Sequence, residues 1–386
     1  MKKYCVYRVL IFIGIISFLS CKKDIPNYTR KPENFRDVFD LFWNQVNMNY
    51  VYWDIDTTKW DKVYYRFMPV FESLDLNNSN DVKKSVQLFR QLCDGLIDGH
   101  FYIDFTHPDI SDSLVYPAFD QKQNKQGFHQ PYPYYFVVKK YLNKGYIEGT
   151  DNISSPYDAP VYALSGILED SILYFHCSAF KLLQSYSSQQ NNAIKPVLNY
   201  FISTLKNLPP SINGIIIDIR NNSGGDLSDL NFFVGNLIDE PVHFGYTRHK
   251  SGNGRLDYSP WINAFVYPQQ DSKKNSLPII VLIDNFSASM AEIVAMAIKC
   301  LPNSLCIGES SFGATGITTS YEVYNDGQFE VNGFMKVKAS SVMFKNLNDY
   351  SFEGKGILPD IFIPFNRDKL NEGHDMQLER AISEIY

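Results

Sequence analysis

Ser289 stands at a joint that suits nucleophilic chemistry. The apolar run Pro278-Ile-Ile-Val-Leu-Ile-Asp284 reads as a strand buried on both faces, and Asn285-Phe-Ser-Ala-Ser289 leads into a helix over 290–299. A hydroxyl at such a strand-to-helix turn meets the free N–H groups and partial positive charge of a helix N-terminus. Both favour an anion developing one bond away, as acyl transfer requires. The competing reading is that Ser287 or Ser289 only caps the helix.

A second buried run, Gly214-Ile-Ile-Ile-Asp-Ile219, leads into Asn221-Asn-Ser-Gly-Gly225. Adjacent glycines let backbone N–H groups approach a ligand closely, which suits an oxyanion hole and equally a tight turn. The spacing matches neither a dinucleotide nor a P-loop fingerprint. An unperturbed serine needs a base. Seven histidines are available: His100, His107, His129, His176, His243, His249 and His374. His100 lies in Leu96-Ile-Asp-Gly-His100, where a helix ends and a strand begins, a place where histidine also serves as a simple C-terminal cap.

Two strand–loop–helix units predict an α/β layer with its site at the carboxyl ends of the strands. Helical periodicity fills 34–105: Phe35, Val38, Phe39, Phe42, Trp43 and Val46 form one stripe, and Val82, Val86, Phe89, Cys93 and Leu96 another, with Ser79, Asn80 and Asp81 as cap candidates. Trp60 to Phe71 is a third candidate helix. Residues 106–133 are polar and read as a loop or flap. Beyond them come β-type runs at 134–138, 161–164 and 172–177, then a helical pattern over 182–205 that Pro196 is expected to split. Ile317 to Ile363 reads as β, and 375–385 as a final helix. The expected organisation is a helical domain over 34–105, the flap over 106–133 and a core over 134–386.

The N-terminus carries a different signal. Lys2, Lys3 and Arg8 precede the apolar run Val9–Leu19, which ends in Phe18-Leu19-Ser20-Cys21. That run is short of the ~20 residues a membrane span needs, but it fits an export signal. Ser20 before Cys21 resembles a lipobox, so residues 1–20 are expected to be a lipoprotein signal peptide, Cys21 the lipidated residue and 21–33 a tether. The protein would then face the periplasm or the outer surface of a bacterial envelope. Of six cysteines, Cys93, Cys177, Cys300 and Cys306 remain, read as buried free thiols, with a Cys300–Cys306 pair as the alternative. The net charge is −6 without a basic stripe, which argues against a nucleic-acid partner.

Four ordered motifs carry a family resemblance: Asp218-Ile-Arg-Asn-Asn-Ser-Gly-Gly225, Phe286-Ser-Ala-Ser-Met-Ala-Glu-Ile293, Gly308-Glu-Ser-Ser-Phe-Gly-Ala-Thr-Gly316 and Glu353-Gly-Lys-Gly-Ile-Leu-Pro-Asp360. Together they resemble the serine peptidases that include the C-terminal processing peptidases and the tricorn core, over roughly Ser165 to the C-terminus. The resemblance implies a crotonase-like (ClpP/crotonase) α/β core behind the helical domain. It implies Ser289 as nucleophile, with oxyanion donors at Met290 N–H and at Gly224 or Gly225. The lysine that activates serine in the processing branch is replaced by Ala314, so the tricorn-like branch fits better, with His100 as base and Glu353 as its supporting carboxylate. Where tricorn has a serine before the histidine, this chain has Gly99. No PDZ module is expected, because too few suitable residues separate Phe101 from Ser165. The activity implied is acyl-enzyme hydrolysis of peptides or unfolded proteins, without metal or organic cofactor. The alternatives are an inactive peptide-binding lipoprotein on the same fold, acyl-thioester chemistry, against which the export signal argues because coenzyme A esters are supplied in the cytoplasm, and polysaccharide binding prompted by the many aromatics.

Overall fold

The computed structural model describes residues 30–151, 160–273, 275–318 and 327–386. The expected signal peptide, Cys21 and nearly all of the tether lie outside the described residues. Among those described, no helix is long and apolar enough to cross a membrane.

The two buried runs are neighbours at the centre of a seven-stranded sheet. Its order is 361–362, 304–308, 279–283, 214–218, 172–177, 161–168, 147–151. The first five strands are mutually parallel; 161–168 runs antiparallel to 172–177, and the edge strand 147–151 runs antiparallel to 161–168. Period-two alternation splits the isoleucines between faces. Ile215, Ile217, Val281 and Ile283 pack beneath the helices Ile194–Lys206 and Met290–Ile298. Ile216, Ile280 and Leu282 pack on the other side against Leu378, Ala381 and Ile382 of the helix Met376–Ser383. Both faces are covered, so these strands are apolar throughout. This is the crotonase-like α/β core.

A buried ionic lock fastens the last helix to the sheet. Arg220 is fully buried, pairs with Asp218 and with Asp375, and lies 3.9 Å from the ring centre of Tyr134. The two carboxylates hold the guanidinium well above its usual value against the cost of burial. Asp218 and Arg220 of the first motif are therefore structural.

Helices α1 (Phe35–Asn49), α2 (Trp60–Glu72) and α3 (Ser79–Cys93) occupy the expected region. The cap of α3 is Asn78, one residue before the expected candidates, its side chain accepting from Asn80 N and Asp81 N. The aromatic stripe of α1 packs with Phe71 and Phe89, and also with Val331, Phe334, Met335 and Val337 from far along the chain. The reason is a second sheet, ordered 328–331, 335–338, 102–105, 114–115, that interleaves N-terminal and C-terminal strands.

Two expectations need correction. Residues 135–138 are helical, not β, since a short apolar run is ambiguous between the two. Helix 182–205 breaks at 188–193, not at Pro196, which sits in the first turn of Ile194–Lys206 where no intrahelical N–H is needed. The segment 106–133 contains the strand Leu114–Val115 and the helix Pro117–Gln123. Lys122 of that helix is buried, and its ammonium donates to Ser311 O at 2.8 Å and Phe312 O at 2.6 Å. Cys93, Cys177, Cys300 and Cys306 are all free thiols.

Candidate active site

Parallel pairing of 214–218 with 279–283 brings their two following loops together. Asn221 N donates to Asp284 Oδ1, Ala288 N to Asn222 O, and Ser287 Oγ to Ile219 O. Ser287 is thereby committed to holding the loops together. Ser289 is not: its backbone has φ +56° and ψ −120°, a conformation that non-glycine residues adopt at a cost and that projects the side chain off the turn. Glu292, one turn on, accepts from Ser289 N at 3.0 Å, and also from Gly313 N and Ala314 N at 2.7 Å each. That carboxylate ties the helix start to the third motif.

Ser289 Oγ lies 3.0 Å from His100 Nε2, although 189 residues separate them. The second sheet makes this possible. Strand Tyr102–Phe105 pairs with Met335–Lys338, Tyr102 opposite Lys338. Continuing that register two places back on one strand and two forward on the other sets His100 opposite Ser340.

The backbone around His100 is clamped on every side. Gly99 N donates to Glu353 Oε1 at 2.6 Å, Gly99 O accepts from Tyr116 Oη at 2.6 Å, and His100 N donates to Asp98 Oδ1 at 2.8 Å. Glu353 Oε2 accepts further from Tyr52 Oη at 2.8 Å, Thr315 Oγ1 at 3.0 Å and Gly316 N at 2.9 Å. None of these bonds reaches the imidazole, so Glu353 steadies the residue before the histidine instead of the ring. What faces the ring's other nitrogen is Ser340 Oγ, 3.4 Å from Nδ1, which is also 2.7 Å from Asp98 Oδ1.

Burial, then the Lys338 ammonium, lowers His100 to about 4, so the imidazole is neutral at ordinary pH. Burial pushes Asp98 up to about 6 against the three hydrogen bonds it accepts. Burial and then the charge of Asp98 hold Glu353 well above the usual carboxylate range. Asp98, His100 and Glu353 offer ligand atoms within 4.8 Å of one another. Each carboxylate oxygen already accepts from a protein donor, an arrangement that fits a hydrogen-bonded framework better than a metal cage.

Of the two candidate oxyanion glycines, Gly224 presses against the nucleophile: a Cβ there would lie 2.6 Å from Ser289 Cβ and 2.9 Å from Met290 N. Its own N–H is spent on Asn222 Oδ1 at 2.9 Å, and its carbonyl accepts from Phe180 N at 2.7 Å. Across a trans peptide the N–H points opposite to the C=O. Gly225 N–H therefore points away from Phe180, which leaves it as the loop's available donor.

The sequence singled out Ser289, His100, Glu353, Met290 and the glycine pair, and the fold gathers all of them at one end of the central strands. It assigned nothing to Ser340, Tyr52 or Tyr116. The Asp-x-His spacing of Asp98 and His100 is a local signal that could have marked an Asx-type turn. Ser340 has no comparable signal, because only the long-range register brings it near.

Residues 171–363, half of the chain, match Peptidase family S41, and the chain belongs to that family. The nisin-resistance protein of Lactococcus lactis subsp. lactis is 28% identical over 142 residues, covering 35% of this chain and 43% of its own length. The carboxy-terminal processing protease CtpA of Bacillus subtilis (strain 168) is 26% identical over 186 residues, 46% of this chain and 36% of its own. This chain thus spans less than half the length of either curated relative. In fold, it is similar to a peptidase candidate from Parabacteroides merdae ATCC 43184, with a TM-score of 0.69 at 20% identity, covering 92% of this chain and 97% of that one.

Proposed function

We propose that this protein is a serine endopeptidase that cleaves peptides or unfolded proteins through an acyl-enzyme on Ser289. The observation that carries the reading is the 3.0 Å approach of His100 Nε2 to Ser289 Oγ, with the imidazole held neutral. Nε2 takes the hydroxyl proton as Oγ bonds to the peptide carbonyl carbon. Met290 N–H and Gly225 N–H hold the oxyanion that forms. The C–N bond then breaks, the amine leaves with the proton from His100, and water repeats the sequence to release the acid. No step calls on a lysine at 314. The helical lobe that delivers His100 and the 106–133 segment, pinned to the core by Lys122, would shape the substrate cleft.

The N-terminal pattern supports export and anchoring through Cys21 to a bacterial envelope membrane. Full-length Cys21→Ala should then move from the membrane to the soluble fraction, and its retention would refute the anchor.

The test of the catalytic reading is labelling by a fluorophosphonate. Ser289 Oγ forms a P–O bond, the P–F bond breaks, and fluoride leaves while His100 takes the proton. The adduct should map to Ser289 and vanish in His100→Ala. A chain that stays unlabelled, or is labelled equally without the histidine, contradicts the reading.

A further inference from the structure

We propose that Ser340 and Asp98 form the limb that orients the His100 imidazole, giving a relay Ser289–His100–Ser340–Asp98 in which Glu353 has only a backbone role. The inference rests on the peptidase reading above and deepens it.

The proton count favours this chain. For Nε2 to accept from Ser289, the neutral ring must carry its hydrogen on Nδ1. Nδ1–H faces Ser340 Oγ at 3.4 Å, and Ser340, having accepted, can still donate its own hydrogen to Asp98 Oδ1 at 2.7 Å. Every hydrogen then has one acceptor and every link runs toward the carboxylate. The 3.4 Å contact is long for a resting bond, and it is of the kind that tightens when the ring becomes an imidazolium.

Asp98 cannot do this directly. Its Oδ1 sits under the backbone of its own turn, accepting from His100 N, and its Oδ2 accepts from Ser340 N at 2.7 Å. A bridging hydroxyl is needed, and the residue before the histidine cannot supply it. A Cβ on Gly99 would lie 2.4 Å from Ala314 Cβ and 2.9 Å from Gly313 O. Glu353 is equally unavailable, since its oxygens are taken by Gly99, Tyr52, Thr315 and Gly316. Asp98 and Ser340 are both fully buried, so nothing but protein competes for these bonds.

Ser340 is a positioning residue, and its test needs readouts that a merely structural role would not move. Second-order rates of fluorophosphonate labelling would be compared across pH for the parent, Ser340→Ala, Ser340→Thr and Glu353→Gln. Ser340→Ala should fall by about 100-fold, the upper end of what losing a hydrogen-bond partner that orients a histidine costs. Ser340→Thr, which keeps a hydroxyl, should recover most of the rate. Glu353→Gln should lower the thermal midpoint but leave the shape of the pH profile intact. Nitrogen NMR of histidine-labelled parent reads the tautomer without any variant, and Nδ1–H is expected. Ser340→Ala labelling at the parental rate, or an Nε2–H tautomer in the parent, overturns the relay while leaving Ser289 as nucleophile. A parent that is not labelled at all overturns the relay and the peptidase reading together.

Discussion

Gly99 and Ala314 share one space: a Cβ built on Gly99 would stand 2.4 Å from the Cβ of Ala314. Gly99 stands where the tricorn-like branch is expected to carry a serine, and Ala314 where the processing branch is expected to carry its lysine. Their contact means that a side chain added at 99 meets the one at 314. With Gly99 N–H bound to Glu353 and its carbonyl to Tyr116, the backbone at 99 cannot retreat to admit a side chain.

Gly99→Ser, although it restores a hydroxyl beside the base, should therefore lose activity. Overpacking at a clamped position should also cost about 1–3 kcal/mol of stability. Urea denaturation together with labelling rates measures both. A stable Gly99→Ser with raised activity would show that the space is not closed.

The backbone of Ser289 is strained for the sake of its side chain. A non-glycine residue at φ +56° and ψ −120° costs of order 1–3 kcal/mol. Ser289→Ala keeps that strain and loses the nucleophile, whereas Ser289→Gly relieves it. Both should be inactive, with Ser289→Gly the more stable by about 1 kcal/mol after glycine's greater unfolded-state entropy is counted. Parallel thermal melts decide the order, and a less stable glycine variant would mean that the turn carries no strain.

This elbow was legible in sequence because each signal for it is local: a run apolar on both faces, then a serine, then helical periodicity. The same holds for the strand at 214–218 and for the helices over 35–49 and 79–93. The orienting limb was not legible. Ser340 reaches His100 only because Tyr102–Phe105 pairs with Met335–Lys338, a register fixed by packing of Ile103, Phe105, Met335 and Val337 in the aromatic core. Nothing local at 340 announces that pairing. Separation into a helical domain was a natural reading of 34–105 for the same reason: the strands that complete its sheet lie beyond residue 327.

The pH dependence follows from the order in which the buried groups titrate. Activity needs His100 neutral and Asp98 ionised. As pH falls, Asp98, pushed up to about 6 by burial, takes its proton before His100, which is held at about 4 by burial and Lys338. Facing Asp98 are Asp56, whose charge opposes its ionisation, and Tyr50, whose hydroxyl accepts from Asp98 N. The acid limb of kcat/KM should accordingly have its midpoint near 6 in the parent. In Asp98→Asn the rate should be lower and that limb should disappear, leaving a fall near 4. A limb near 6 that survives in Asp98→Asn would assign it elsewhere.

Lys122 pins the 106–133 segment to the loop that binds Glu292. Lys122→Met would leave the carbonyls of Ser311 and Phe312 without their donor, at a cost of about 1–3 kcal/mol. The segment should loosen, which limited proteolysis reads as new cuts within 106–133. An unchanged digestion pattern would mean that other contacts hold it.

The central claim is peptide hydrolysis by Ser289 with His100 as base, and cleavage of a diverse peptide mixture read by mass spectrometry tests it most directly. The soluble protein from Lys22 onward would be compared with its Ser289→Ala and His100→Ala forms. The account predicts discrete cuts by the unsubstituted protein and none by either variant. Peptides bound but uncut by all three would make the chain a binding protein on a peptidase fold, and cutting by Ser289→Ala would place the nucleophile elsewhere.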